Sequence, residues 1–282
     1  MNFTGTRPGG ADGVNVVGTG DFTDLLRRNG NGPVDVEAFR GASGHALTSA
    51  ATPPTQATTV LSFQFKDGVL IAGDRRATAG NIIMYDRADK VIELDHDTII
   101  AIAGSPAVAF EMARTLQTSF QYYRRSQLQP LSLSAKVRAL GKLIKDNLPM
   151  TLQGVGAVVP ILAARDHQHQ PDPILYFYDA LGAQFQAADF AVSGSGSGAA
   201  RSVLQWINRW SDQPTAKRDE KQAVQLALQL LDVAAESDSA TGGVDRRSHV
   251  FPQIKVLTKD GLRSLDPDTI RECFTSLEAS HR

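Results

Sequence analysis

The spacing of apolar residues changes period several times between residue 58 and the C-terminus. In TTVLSFQF (58–65), Leu61, Phe63 and Phe65 alternate with Val60, Ser62 and Gln64, the period of two that marks a strand. Asp67-Gly68 is a hairpin turn signal, and VLIAGD (69–74) reads as the return strand. KVIEL (90–94) and TIIAIAG (98–104), joined through His96-Asp97, predict a second hairpin. Val108, Met112, Leu116 and Phe120 then recur every four residues, one face of a helix. Val137, Leu140, Ile144 and Leu148 predict a second helix, ended near Pro149 because proline lacks the N–H that continues a helix. Strands are expected at about 157–164, 174–179 and 185–193. Two more helices follow, one carrying Val203, Ile207 and Trp210, the other Val224, Leu228, Leu231 and Ala235. HVFPQIKVLTKDGL (249–262) reads as a hairpin turning at Asp260-Gly261, and a short terminal helix starts near Asp266.

The order is strands, a helix pair, strands, a helix pair, strands. A parallel sheet would alternate single strands with single helices. The pattern therefore predicts an α+β fold in which two antiparallel sheets pack face to face with helix pairs outside. No internal repeat is found.

Residues 1–57 differ. They are rich in Gly, Pro, Ala, Ser and Thr, and only FTDLLRR (22–28) suggests a brief helix. ATPPTQA (51–57) reads as extended linker, since a residue before proline is pushed toward β or polyproline geometry. On composition alone the segment reads as a disordered tail.

Composition narrows the classes. Hydrophobic residues make up 42% and charged residues 21% of 282, ordinary for a chain that buries a core. A net charge of -1 gives no reason to expect nucleic acid or an anionic membrane as partner. The single cysteine, Cys273, excludes an internal disulfide and fits a reducing compartment. No apolar run approaches the ~20 residues of a membrane span. The opening MNFTGTRPGGADG lacks the basic and apolar regions of a signal peptide. The expected location is cytoplasmic.

Four local signals carry chemistry, and each has a plain structural explanation when taken alone. GDRRATAGN (73–81) puts an acid and two arginines after an apolar strand, as a solvated strand end would. Lys90 opens an otherwise apolar strand; a lysine there is solvated unless a partner holds it buried. SGSGSG (193–198) lies between a strand and a helix, where a flexible turn would lie. SDSATGG (237–243) has the composition of a helix C-terminus and turn.

Together these pieces resemble the β subunits of 20S proteasomes, most closely the actinobacterial type, from Thr58 to about residue 260. The resemblance rests on TTVLSFQFKDGVLIAGDRRATAGN (58–81), the DK at 89–90, IAGSPA (102–107), SGSGS (193–197) and SDSATGG (237–243), which agree in letters and in spacing. FTDLLRR also looks like its counterpart in that family's prosegment. The resemblance implies the αββα sandwich of N-terminal-nucleophile hydrolases and a threonine endopeptidase made by removing residues 1–57, with 58–282 as the catalytic domain. It puts Thr58 at the nucleophile, Asp74 and Lys90 at the catalytic aspartate and lysine, and Gly104 at the oxyanion hole. Ser195, Asp238 and Thr241 fall at the polar residues around the nucleophile's amine; many relatives have serine at the last, and threonine keeps the hydroxyl. Ala77, Thr78, Ile102, Pro106 and Phe110 fall at substrate-binding positions, and an apolar lining there implies a chymotrypsin-like preference. Pro106 replaces an alanine common in the family.

The chemistry explains those residue types. A threonine hydroxyl needs a base, and a freed N-terminal amine, titrating near ~7.7–8.0, can serve. It becomes a base only after the 57–58 bond is cut. Ala57 stands where most relatives have glycine, which implies cleavage that is slower or that needs assembly to force it, because alanine resists the backbone angles that glycine permits. The family further implies two inner heptameric β rings between α rings, a ring-shaped ATPase activator, unfolded protein substrates, and no cofactor or metal.

Two rival readings come from other classes. A nucleotide-binding protein would use Gly194, Gly196 and Ala199 as G-x-G-x-x-A, but no βαβ pattern surrounds them and no GK[ST] occurs. A catalytically silent ring subunit would lack the nucleophile or the lysine, and Thr58, Asp74 and Lys90 are all present. His167 and His169 in RDHQHQPD read as a solvated loop rather than a metal site. Cys273, in a terminal helix with no histidine beside it, reads as a packing or exposed position, and Trp206 and Trp210 as core or subunit contact.

Overall fold

The computed structural model describes residues 58–79, 82–166, 170–245 and 248–280. The segment 1–57, with FTDLLRR and Ala57, and the residues His167 and His169 lie outside the described residues.

The first sheet has the order β10-β1-β2-β11-β12. Its strands are β1 Thr59–Phe65, β2 Gly68–Gly73, β10 Phe190–Gly194, β11 Gln253–Thr258 and β12 Gly261–Ser264. The second, β5-β6-β7-β8-β9, is built from β5 Val91–Asp95, β6 Thr98–Ala101, β7 Ile161–Asp166, β8 Gln170–Tyr178 and β9 Gln184–Ala187. Every pairing within both sheets is antiparallel. A separate two-stranded hairpin joins β3 Ala77–Ala79 to β4 Ile82–Tyr85. The helices are α1 Pro106–Gln127, α2 Leu133–Asp146, α3 Leu148–Leu152, α4 Ser197–Trp210, α5 Glu220–Ser237 and α6 Pro267–Ser280.

The layers follow from which way alternate residues point. From β1 and β2, Leu61, Phe63, Phe65, Leu70 and Ala72 join a core with Leu204 of α4, Leu228 and Leu231 of α5, and Phe274 of α6. Their neighbours Val60, Val69 and Ile71 turn the other way, into a core with Ile99 and Ala101 of β6 and Ile161 and Ala163 of β7. Ile100, Leu162 and Ala164, on the far face of that second sheet, pack against Met112 and Leu116 of α1 and Leu140 and Ile144 of α2. Three cores in this succession make a four-layer αββα sandwich, an α+β fold, as the element order predicts. β1 is buried on both faces rather than one, and Ser62 is accommodated at 0% exposure by donating to the carbonyl of Leu70 at 2.9 Å.

Several boundaries differ from the sequence reading. The second helix stops at Asp146, and Leu148 opens a new short helix with Pro149 in its first turn, where no N–H is needed. The strand expected at 157–164 begins at Ile161, and the one expected at 185–193 is two strands, β9 and β10. Trp210 does not share the buried face of α4, which is Ala200, Leu204 and Ile207. At ~100° per residue it lies to one side of that stripe; Trp206 and Trp210 are 60% and 70% exposed, so neither is core. The hairpin β3–β4 has no counterpart among the expected strands. Its apolar run IIMY is exposed throughout, so no alternation marks it. Cys273 is buried in α6, and Asp266 starts that helix by accepting the Thr269 N–H at 2.9 Å.

Candidate active site

Thr58 stands at the head of β1 and is 5% exposed. Its carbonyl accepts the Ser195 N–H at 2.9 Å, and the next residue, Thr59, pairs with Gly194 of β10. Gly194 has φ +102°, and a side-chain carbon on it would fall 1.7 Å from the Thr58 carbonyl oxygen. The glycine is therefore required by both the backbone angle and the approach of β1.

Asp74 follows β2 and is fully buried. Its Oδ1 accepts from the Thr59 N–H at 2.8 Å and from Lys90 Nζ at 2.7 Å. Its Oδ2 accepts from the N–H groups of Arg76 and Gly242, each at 3.0 Å. Four protein donors thus take the place of water around this carboxylate. Lys90 is 4% exposed, and its ammonium also donates to the Arg76 carbonyl at 2.5 Å. Burial pulls its pKa below the ordinary 10.5, against the opposing pull of Asp74.

Gly104 follows β6 with φ +110°, and a side-chain carbon on it would meet the Ala157 carbonyl oxygen at 2.1 Å. It forms an isolated bridge with Val158, but the bonds are made by its neighbours: Val159 N–H to Ala103 O at 2.9 Å and Ser105 N–H to Ala157 O at 2.8 Å. The N–H of Gly104 thus lies on the edge of the chain away from Val158.

A second polar cluster closes over the head of β1. The hydroxyls of Ser195 and Thr241 both donate to Asp238 Oδ2, each at 2.5 Å, and the Ala240 N–H donates to Oδ1 at 3.2 Å. Partial burial works to raise the Asp238 pKa, but the two hydroxyls and the backbone donor outweigh it and hold it below the ordinary carboxylate value. Arg76 ties this cluster to the first, donating to the carbonyls of Ser239 at 2.8 Å and Thr241 at 3.1 Å.

Thr58, Lys90 and Gly104 open into one pocket of about 440 Å³, whose wall includes Ala77, Thr78, Ile102, Pro106 and Phe110. Every residue expected at the substrate-binding positions is there. Sequence reasoning missed Tyr85, Arg87, Ala88, Asp89 and Ala109, which line the same pocket. Arg87 and Asp89 mean that the lining is not free of charge. Their side chains are 62% and 65% exposed, and Asp89 pairs with Arg75 at 2.9 Å. Missed as well were Thr59, Arg76 and Gly242: each gives a backbone N–H to Asp74, and the Thr59 hydroxyl and Arg76 guanidinium add bonds to the second cluster that residue type alone does not reveal. Among the described residues, no group of three or more His, Cys, Asp or Glu could hold a metal ion.

The SGSGSG loop does not sit in a nucleotide fold. β10 runs antiparallel to β1, and Gly194 and the N–H of Gly196 are occupied by Thr58 and Thr59. A family model described as "Proteasome subunit" matches residues 55–249. The chain is 36% identical to "Proteasome subunit beta 2" of Thermomonospora curvata over 266 residues, covering 94% of this chain and 90% of that one. It is 37% identical to "Proteasome subunit beta 1" of Streptomyces avermitilis, covering 80% and 78%. It is 34% identical to "Proteasome subunit beta" of Acidimicrobium ferrooxidans, covering 93% and 90%.

The chain belongs to the proteasome β-subunit family. As a proteasome β subunit it is a component of a multi-subunit core, and the αββα layers are the frame of that family's subunits. No helix among the described residues is long and apolar enough to cross a membrane.

Proposed function

We propose that this proteasome β subunit is a threonine endopeptidase. Residues 1–57 are a prosegment, and cleavage of the Ala57-Thr58 bond by Thr58 itself frees its amine. The observation that carries the reading is the convergence of Thr58, Lys90 and Gly104 on one pocket, with Asp74 locked behind the lysine.

In the mature chain the Thr58 hydroxyl attacks the scissile carbonyl and passes its proton to its own amine. The C–N bond breaks as that proton moves to the leaving amine, leaving an ester on Thr58. Water, deprotonated by the same amine, hydrolyses the ester and restores the hydroxyl. The Gly104 N–H donates to the oxyanion, an interaction worth ~2.7–4 kcal/mol in comparable sites. Lys90, held as a cation by Asp74, lowers the proton affinity of the hydroxyl. Asp238, Ser195 and Thr241 surround the amine.

Ala77, Ile102, Pro106, Ala109 and Phe110 give the pocket an apolar wall. A large apolar side chain gains about 25 cal/mol per Å² buried there, while a charged one loses hydration. Cleavage is therefore mainly after large apolar residues, and Arg87 and Asp89, exposed and of opposite sign, do not reverse that order. The subunit works in homo-heptameric β rings with α subunits, a ring-shaped ATPase activator and unfolded proteins as substrates, in the cytoplasm.

The test is hydrolysis of fluorogenic peptides differing only in the residue before the cut, by assembled wild type and Thr58→Ala. The expected result is release after leucine, tyrosine and phenylalanine, none from Thr58→Ala, and residues 1–57 retained in that variant. Turnover by Thr58→Ala, or faster release after arginine or glutamate, contradicts the reading. A wild type that keeps 1–57 and cuts nothing is the silent ring subunit.

A further inference from the structure

Thr59, the residue after the proposed nucleophile, is fully buried, and its side chain is absent from the substrate pocket. Its backbone N–H is committed to Asp74 Oδ1 at 2.8 Å. Its hydroxyl oxygen lies 2.6 Å from Thr241 Oγ1 and accepts the Gly196 N–H at 3.0 Å. The direction of the hydroxyl pair follows from counting hydrogens. Thr241 has one hydroxyl hydrogen, and it goes to Asp238 Oδ2 at 2.5 Å. Thr59 must then donate to Thr241. The result is a one-way chain: Gly196 N–H to Thr59, Thr59 to Thr241, Thr241 to Asp238, with Ser195 donating to the same Asp238 oxygen.

Residue 59 thus touches both carboxylate systems, Asp74 through its amide and Asp238 through its hydroxyl and Thr241; Arg76 bridges them too, but reaches the second only through the Ser239 and Thr241 carbonyls. Its amide and side chain leave the peptide between Thr58 and Thr59 little freedom, and the Thr58 carbonyl is held from the other side by the Ser195 N–H. The Thr59 hydroxyl also removes a choice from Thr241: with a donor on one side, Thr241 has only the carboxylate left to donate to.

From this geometry we infer that the Thr59 hydroxyl is a positioning group for peptide hydrolysis, holding Thr241, Asp238 and Ser195 in the arrangement that faces the Thr58 amine. The inference rests on the threonine-peptidase reading. Valine at 59 matches threonine in volume but neither donates nor accepts. It leaves the Gly196 N–H without its acceptor and frees Thr241 to rotate. Because the hydroxyl does not reach the pocket, its loss acts on turnover and not on substrate binding.

The experiment is steady-state peptide hydrolysis by assembled wild type, Thr59→Val, Thr59→Ser, Thr241→Val and the Thr59→Val/Thr241→Val double variant, with Thr58→Ala as control. Thr59→Val should lower kcat about ten-fold or more with KM within about two-fold, the scale of one lost buried hydrogen bond. Thr59→Ser restores the hydroxyl and should recover most of kcat. The double variant should be no slower than the slower single, since both break one chain. Where Thr59→Val does not assemble, Thr241→Val carries the test, and it must lower kcat with KM unchanged. A rise in KM in place of the fall in kcat, failure of serine to rescue, or losses that multiply in the double variant overturn the proposal. Wild-type turnover abolished by Thr58→Ala but untouched by Thr59→Val overturns it alone; turnover that survives Thr58→Ala overturns the peptidase reading beneath it.

Discussion

Among the described residues, two lysines are buried against aspartates, and one of the two stands in the site. Lys90 is 4% exposed and lies 2.7 Å from Asp74; Lys136, in α2, is 3% exposed and lies 2.6 Å from Asp95. By burial and distance they are near twins. Their surroundings separate them. Lys136 also donates to Thr98 Oγ1 at 2.8 Å and sits 5.5 Å from the centre of the Phe120 ring, against the apolar layer between helix and sheet. The Asp95 side chain keeps 19% exposure, so water shares its charge. Asp74 has no exposure and is enclosed by protein donors on both oxygens, and its lysine opens into the pocket that holds Thr58 and Gly104. A buried ion pair is therefore weak evidence for function. What marks Lys90 is the company at its ammonium.

The sharpest way to break the comparison is to truncate each lysine. Lys90→Ala should reduce peptide hydrolysis by on the order of 10³-fold or more, the scale of losing a preorganised charge at a reacting centre. Lys136→Ala should leave turnover within about two-fold, measured on the same peptide. A large loss of turnover in Lys136→Ala would erase the distinction.

Stability should show the reverse emphasis for Lys136. Lys136→Met removes the charge but keeps the stem. It should cost roughly 2 kcal/mol, below the ~3–5 kcal/mol of a fully enclosed pair because Asp95 keeps contact with water. Thermal unfolding checks this, and an unchanged midpoint would mean the pair contributes nothing.

How much of this was legible in the sequence depends on what each feature is made of. Leu61, Phe63 and Phe65 alternate, so β1 was readable, and the order of strands and helix pairs carried the sandwich. The β3–β4 hairpin was not, because Ile82, Ile83, Met84 and Tyr85 are all exposed and give no period. The side chains that the proposed mechanism uses, Thr58, Asp74, Lys90, Ser195, Asp238 and Thr241, were accessible by resemblance. Thr59 and Arg76 were not, since both work mainly through backbone groups or a hydrogen-bond direction that only geometry reveals. Arg87 and Asp89 were missed as pocket residues because they reach it only in space; Asp89 entered the sequence argument merely as part of the DK at 89–90.

A smaller effect sharpens the contrast through pH. Burial holds Lys90 below 10.5, with Asp74 and Asp238 opposing and Arg76 reinforcing. The mechanism needs the charged form, which is lost as pH rises through the folded value. Turnover should therefore fall on the alkaline side before an ordinary lysine would titrate, followed as kcat against pH in assembled protein. A profile flat up to 10.5 would remove Lys90's charge from the mechanism. The smallest change is expected at the pocket mouth: Arg87→Ala should shift the ranking of apolar peptides by less than about five-fold, because an exposed charge is screened.

The central claim is that Thr58 becomes a chain terminus. N-terminal sequencing of the purified, assembled protein tests it most directly. The account predicts a mature chain beginning TTVLSFQF, with Thr58 first. A fully assembled, peptide-cleaving particle whose chains still begin upstream of Thr58 would contradict it.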